Sequence, residues 1–190
     1  AFGLRAFGMT VVFATALVTL TIMTIKIILA IHPLMPGIYA YASRPVPCYV
    51  FNLTGFFLIT NLYVIRRLMP PLLRKTFYRL LGATFGAGMV PIAGDILDPW
   101  LVSIEENTLV GEGSLILGHA VLANNVLVLG RVDIKRGAVV GAKSVIMPGV
   151  TVGENAMVSA MSLVPMNTTI GAYEVWAGNP AKKIGDLARR

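Results

Sequence analysis

Acidic residues are missing from half of this chain. Residues 1–94 contain no Asp or Glu against eight Lys/Arg, whereas residues 95–190 hold nine Asp/Glu against eight Lys/Arg. The net charge of +7 therefore belongs to the first half. Cysteine occurs once, which excludes a disulfide framework and a Cys-rich zinc site. Two histidines exclude a three-His metal site within one chain. Charged residues make up 13% of the chain, against roughly 25% in average soluble domains. With 56% hydrophobic residues and mean hydropathy +0.75, disorder is excluded. An ordinary soluble protein would need a larger core than 190 residues supply. Basic flanks on hydrophobic runs read as membrane anchoring, not as a nucleic-acid surface, which would interleave Lys/Arg with aromatics. No nucleic-acid partner is expected.

Two runs carry that expectation. Met9 to Ile31 has one charge, Lys26, and neither Pro nor Gly. Cys48 to Ile65 has no charge, and its Asn52, Thr54, Thr60 and Asn61 suit bonds to a partner helix. About 20 apolar residues span a bilayer. Spans over about 9–31 and 48–68 are expected, forming a two-helix transmembrane hairpin within residues 1–69. A cleavable signal peptide is rejected because a second apolar run follows the first. The first residue is Ala, so the chain is either processed or the end of a longer protein. Arg5 lies before the first span, and Arg66, Arg67, Arg74, Lys75 and Arg79 follow the second, while the loop His32–Pro47 holds only Arg44. The positive-inside rule puts both ends of the hairpin, and the domain beyond them, in the cytoplasm. Residues 70–84 form an amphipathic basic linker expected to lie along the membrane surface.

The second half has a six-residue period. Aliphatic residues recur at Ile104, Val110, Ile116, Leu122, Val128, Ile134, Val140, Ile146, Val152, Val158, Val164 and Ile170, and Trp176 follows in register. Four residues after each of the first eleven comes a small or β-branched residue, from Thr108 and Ser114 to Ser162 and Thr168. Neither a helix (period 3.6) nor an ordinary strand (period 2) yields six. A coil with three flat sides does, with the aliphatic inside and the small residue near a corner. Twelve repeats make four 18-residue coils, stacked on a continuous core. Residues 85–184 are assigned to this domain and 185–190 to a tail.

These residues resemble a known family. The stretch IKRGAVVGAKSVIMPGVTVGENAMVSAMSLV (Ile134–Val164) and the closing WAGNPAK (Trp176–Lys182) are similar to the left-handed parallel β-helix of hexapeptide-repeat acyltransferases. HPLMPGIYAYAS (His32–Ser43) and YRLLGATFG (Tyr78–Gly86) resemble the membrane-linked hexapeptide domains that end poly-lysine-synthetase-like nonribosomal peptide synthetases. The resemblance implies acyl transfer from acetyl-CoA or another acyl-CoA to a hydroxyl or amine, without a metal. It implies a single base, because imidazole titrates near working pH. His119, the one His of the repeat domain, is that candidate base. Asn124 or Asn125 is expected to orient the ring or the acceptor, and Gly137, 18 residues on, to leave room beside it. Ala142, Ser144 and Ala160 are candidates to line the pantetheine groove. Lys182 and Lys183 are candidates to meet the CoA phosphates, with Lys135, Arg136 and Lys143 as further ones. The family implies a homotrimer, and Val121, Leu127 and Leu129 are expected to be sheet surface for a partner chain.

Asp95 and Asp98, before Pro99, suit a cation but better suit a turn. Two sequons, at Asn52 and Asn167, are discounted. The expected function is a membrane-anchored acyltransferase. The alternative is a non-catalytic trimeric scaffold docked to membrane-complex partners, which need not bind CoA.

Overall fold

The computed structural model describes residues 2–62, 71–88, 90–123 and 125–188. Its centre is a three-sided coil of parallel strands. One sheet stacks β2 (Thr84–Phe85), β4 (Val102–Ile104), β9 (Val132–Ile134), β12 (Thr151–Val152) and β15 (Thr169–Ile170). The second stacks β3 (Asp95–Leu97), β6 (Leu115–Leu117), β11 (Val145–Ile146) and β14 (Leu163–Val164). The third stacks β5 (Leu109–Val110), β10 (Val139–Val140), β13 (Met157–Val158) and β16 (Glu174–Gly178). An antiparallel strand, β17 (Ala181–Asp186), closes the third sheet. Ile104, Val110, Ile116, Ile134, Val140, Ile146, Val152, Val158, Val164 and Ile170 point into the prism and are almost wholly buried. Ser114, Ser144 and Ser162 stack inside one corner, where each hydroxyl donates to a turn carbonyl. Those bonds satisfy polar groups that burial would otherwise leave costly.

The coil is interrupted once. Val139 pairs with Met157, 18 residues later, but with Leu109, 30 residues earlier. The extra twelve residues leave the prism as a β-hairpin, β7 (His119–Leu122) against β8 (Val126–Leu129). Leu122 and Val128, expected inside the coil, instead belong to this hairpin: Leu122 is exposed and Val128 half-buried. Twelve residues are two hexads, so the excursion keeps the sequence period while leaving the coil.

Ahead of the coil come α1 (Phe2–Ile31), β1 (Gly37–Ala40), α2 (Pro45–Leu62) and α3 (Pro71–Leu80). Helices α1 and α2 pack antiparallel: Gly55 lies against Thr21 and Ile25, while Leu29 meets the cluster around Val46 and Tyr49. Thr10, Thr19, Thr21 and Thr24 each donate to the carbonyl four residues back, so the threonines add no unpaired hydroxyls to an apolar helix. Among the described residues one helix, over Arg5–Ile31, is long and apolar enough to cross a membrane. Only 6% of its most apolar stretch is buried. The second expected span is not shown, and residues 63–68 of it lie outside the described residues.

The loop between the helices departs most from expectation. Strand β1 pairs antiparallel with β8, Ile38 opposite Val128, making a three-stranded sheet β1-β8-β7. Val46, in the first turn of α2, and α3, which follows the segment after it, both adjoin the β-helix. The loop His32–Pro47 thus packs on the coil's hairpin through β1. Leu127 and Leu129, expected to face another chain, are buried by Leu34, Val46 and Tyr49 of this one. The basic linker differs too. Arg74 donates to the carbonyls of Ala93 and Gly94, Lys75 to those of Gly86 and Gly88, and Arg79 to that of Phe85. These cations cap the open end of the coil, where first-turn carbonyls have no coil beneath them.

Candidate active site

His119 is the first residue of the excursion, placed where the chain leaves the corner after β6. Its Nδ1 lies 2.5 Å from Oδ2 of Asp98. An ionised carboxylate only accepts, so Nδ1–H donates, and in the neutral imidazole Nε2 keeps its lone pair. The imidazole side chain is 17% exposed and the Asp98 side chain is 0% exposed. The pair joins the buried interior to the surface.

Local sequence explains the placement. Asp98 precedes Pro99, which opens a short 3₁₀ turn, Pro99–Leu101. Asp98 itself has φ 61° and ψ 58°, a left-handed conformation that is uncommon outside glycine but tolerated by Asp. Its carbonyl accepts from Leu101 N–H, 2.9 Å away. This turn brings the carboxylate under the His119 strand. Gly118 allows the approach, because a Cβ there would lie 2.9 Å from Asp98 Cβ and 3.0 Å from Leu101 Cβ.

A third residue comes from α2. Tyr49 is 3% exposed and its ring sits 5.3 Å from the imidazole, tilted by 56°. In the ladder His119 shares a sheet face with Leu129, its direct partner, and with Val121 and Leu127. That face packs on the start of α2, which is why the imidazole meets Tyr49.

Asp98 therefore does more than shape a turn: it holds the His119 ring, a contact that sequence reasoning missed. The signals were its position before Pro99 and the absence of another His for the coil. Asn125 is at the hairpin tip with φ 53°, its carbonyl accepting from Tyr41 N–H at 2.9 Å. It lies one residue beyond the last ladder pair, Leu122–Val126, four residue steps or about 13 Å from the His119–Leu129 pair, and is not in contact with the ring. Asn124 lies outside the described residues. Gly137 stacks on the Asn107–Asn155 corner, its N–H donating to Glu106 and Arg136 O accepting from Asn155, because the hairpin displaces the count by twelve.

The candidate donor-binding residues gather at a different corner. Ala142 and Ala160 stack there, with Met161 N–H donating to Ala142 O. Ser144 is inside that corner, wholly buried, its hydroxyl on Gly141 O at 2.6 Å, so it does not line a groove. Lys182 stands opposite Ala177 at the same end. Lys143 and Lys182 have no carboxylate partner among the described residues. The other cations are taken. Lys135 pairs with Glu105 at 3.2 Å, Arg136 with Glu154 at 3.1 Å, and Lys183 with both Glu174 (3.0 Å) and Asp186 (2.8 Å). The Glu105 carboxyl is held below its ordinary range, chiefly by the backbone N–H of Arg136. Glu174 is pulled down to about 2 by the Trp176 indole N–H, the Gly171 N–H and Lys183. Lys183 is pushed up by Asp186 and Glu174. Within one chain this corner is a full strand from His119, roughly 17 Å.

No family model matches the chain. It is 28% identical over 129 residues to the delta-poly-L-ornithine synthetase of Acinetobacter baumannii (strain AB307-0294). That match takes in 68% of this chain and 10% of the relative, so the chain spans a small part of that enzyme. A hexapeptide-repeat-containing acetyltransferase from Vibrio cholerae O1 biovar eltor, complexed with acetyl-CoA, superposes with a TM-score of 0.57. It is 17% identical, over 80% of this chain and 93% of that one. A galactoside acetyltransferase in complex with coenzyme A gives 0.57 at 20% identity, over 80% and 88%. A maltose O-acetyltransferase from Clostridium difficile 630 gives 0.53 at 18%, over 81% and 94%. The chain resembles the hexapeptide-repeat acetyltransferases and has their β-helix fold.

Proposed function

We propose that this chain is an acyltransferase that takes its acyl group from acetyl-CoA or another acyl-CoA, with His119 as general base. The observation that carries the reading is the 2.5 Å contact between His119 Nδ1 and the buried Asp98 carboxylate. Asp98 fixes the tautomer, and Nε2 takes the proton from an acceptor hydroxyl or amine as that atom attacks the thioester carbonyl. The tetrahedral intermediate then collapses, the C–S bond breaks, and the imidazolium returns the proton to the leaving thiolate. No covalent enzyme intermediate and no metal take part.

The structural neighbours bound to CoA or acetyl-CoA support a thioester donor. Lys143 and Lys182, which have no carboxylate partner among the described residues, suit its phosphates, with Ala142 and Ala160 beside them. The separation of that corner from His119 supports a homotrimer of left-handed coils in which one chain's His119 faces another chain's groove. The exposed apolar α1 supports anchoring in a lipid bilayer, with the coil on the cytoplasmic side. The partial likeness to a peptide-building synthetase supports a peptide or another product made at the membrane as acceptor.

The test is calorimetric titration of the detergent-purified protein with acetyl-CoA, beside turnover of the His119→Ala variant. Saturable binding near one per chain, weakened by Lys143→Ala/Lys182→Ala, is expected, with binding kept and turnover lost in His119→Ala. No binding at millimolar acetyl-CoA by the folded protein would overturn the enzyme and leave the scaffold.

A further inference from the structure

Helix α2 delivers more than apolar cover. Tyr49 is buried, and its ring lies 5.3 Å from the imidazole that holds Asp98. Asp98 Oδ2 is engaged by the imidazole, which leaves Oδ1. Oδ1 and the Tyr49 hydroxyl, an acceptor and a donor, are both shut off from water and outside hydrogen-bond geometry with any described group. Leaving two such groups unpaired is costly, and each supplies what the other lacks. Catalytic hydrogen bonds in ligand-free sites are often long and tighten when substrate arrives. The same phenol ring packs against His119 from the α2 side.

We infer that Tyr49 is a positioning residue: its hydroxyl closes onto Asp98 Oδ1 and its ring braces His119, so that α2 completes the catalytic pair. This rests on the reading of His119 and Asp98 given above. The physical logic is that Asp98 must hold one orientation to keep His119 in the Nδ1–H tautomer. A carboxylate bound through one oxygen can rotate about its Cβ–Cγ bond. Bound through both, from opposite sides, it cannot. Tyr49 does not touch the reacting atoms.

The experiment needs a readout independent of turnover. The chain has two histidines, so ¹⁵N-histidine labelling of the full-length protein gives two ring systems, with His119 assigned by its loss in His119→Ala. Long-range ¹H–¹⁵N correlation at a pH where the rings are neutral reads the tautomer. Wild-type protein is expected to show His119 as Nδ1–H. Tyr49→Phe keeps the ring and removes the hydroxyl, and is expected to give a mixture of tautomers. It should also lower kcat about tenfold, the scale of one lost bond to a charged group, with KM for acetyl-CoA unchanged. Tyr49→Leu is expected to be worse on both counts. A tautomer shift in Tyr49→Phe without measurable acyl transfer would uphold Tyr49 and sink the enzyme reading. Wild-type tautomer in both variants would overturn the proposal. Absence of the Nδ1–H form in wild-type protein would overturn the pair itself and the proposal with it.

Discussion

Gly118 lies so close to Asp98 that a Cβ added to it would stand 2.9 Å from Asp98 Cβ. The strand bearing the base and the turn bearing its carboxylate therefore touch through a missing side chain. Gly118→Ala must push them apart. The expected result is a folded β-helix destabilised by about 1–3 kcal/mol, the usual scale for overpacking. Activity should fall further than stability explains, because the His119–Asp98 bond is what the extra methyl displaces. Thermal melts beside acetyl-CoA turnover check it. Full turnover in Gly118→Ala would mean that the pair tolerates separation.

Asp98→Asn isolates charge from shape. Asn accepts the left-handed backbone of position 98, so the turn should survive. The amide is able to donate to Nδ1 and favour the wrong tautomer. kcat should fall by about 10²–10⁴-fold, the range for general-base catalysis, with acetyl-CoA binding unchanged. A loss of binding without loss of kcat would assign Asp98 to the donor site instead.

The architecture was legible because interior aliphatics at Ile104, Val110 and Ile116 and again from Ile134 onward obey a geometric rule that each coil enforces. The hairpin was not, because its twelve residues preserve the phase of Leu122 and Val128. A trace remained in Val126–Leu129, four apolar residues in a row. One face of it, Leu127 and Leu129, packs on α2. His119 stood out as the one histidine of the repeat domain. Asp98 did not, since its contact spans 21 residues and depends on a corner that no local pattern describes. Tyr49 was hidden within a run that reads as a membrane span, and only the pairing of β1 with β8 turns that run toward the site.

Acid should loosen the far end of the coil before the rest. Glu174 accepts from Gly171 N–H and Trp176 Nε1, each at 2.8 Å, and pairs with Lys183. Its carboxyl is depressed to about 2 from 4.5, so the folded state binds the proton less readily than the unfolded chain. The stability this contributes is present above about pH 4.5 and fades as pH falls toward 2. Lys183 is raised, so its share persists until pH rises through its own folded-state value. Protection of the β17 amides, corrected for the intrinsic pH dependence of exchange, should therefore fall between pH 4.5 and 2 in the wild type. Glu174→Gln should start with low protection and show no such step. Equal pH dependence in both proteins would remove Glu174 from the cap.

The strand between the helices sets a topological prediction. Ile38 on β1 is exposed, as is Met161 at a corner of the coil, and β1 is bonded to the hairpin that the coil extrudes. A bilayer cannot pass between two strands of one sheet. With Cys48 replaced by Ser, Ile38→Cys and Met161→Cys in sealed vesicles should react with a membrane-impermeant thiol reagent from the same side. A hairpin of two spans with an outer loop would give opposite sides. Strand β1 contributes four ladder pairs to β8, so a loop held across the membrane would leave that edge open and Leu127 and Leu129 without Val46 and Tyr49. Opposite-side labelling would therefore dismantle the packing around His119 as well as the topology. Same-side labelling leaves α1, over Arg5–Ile31, as the segment that enters the lipid, and makes α2 part of the site.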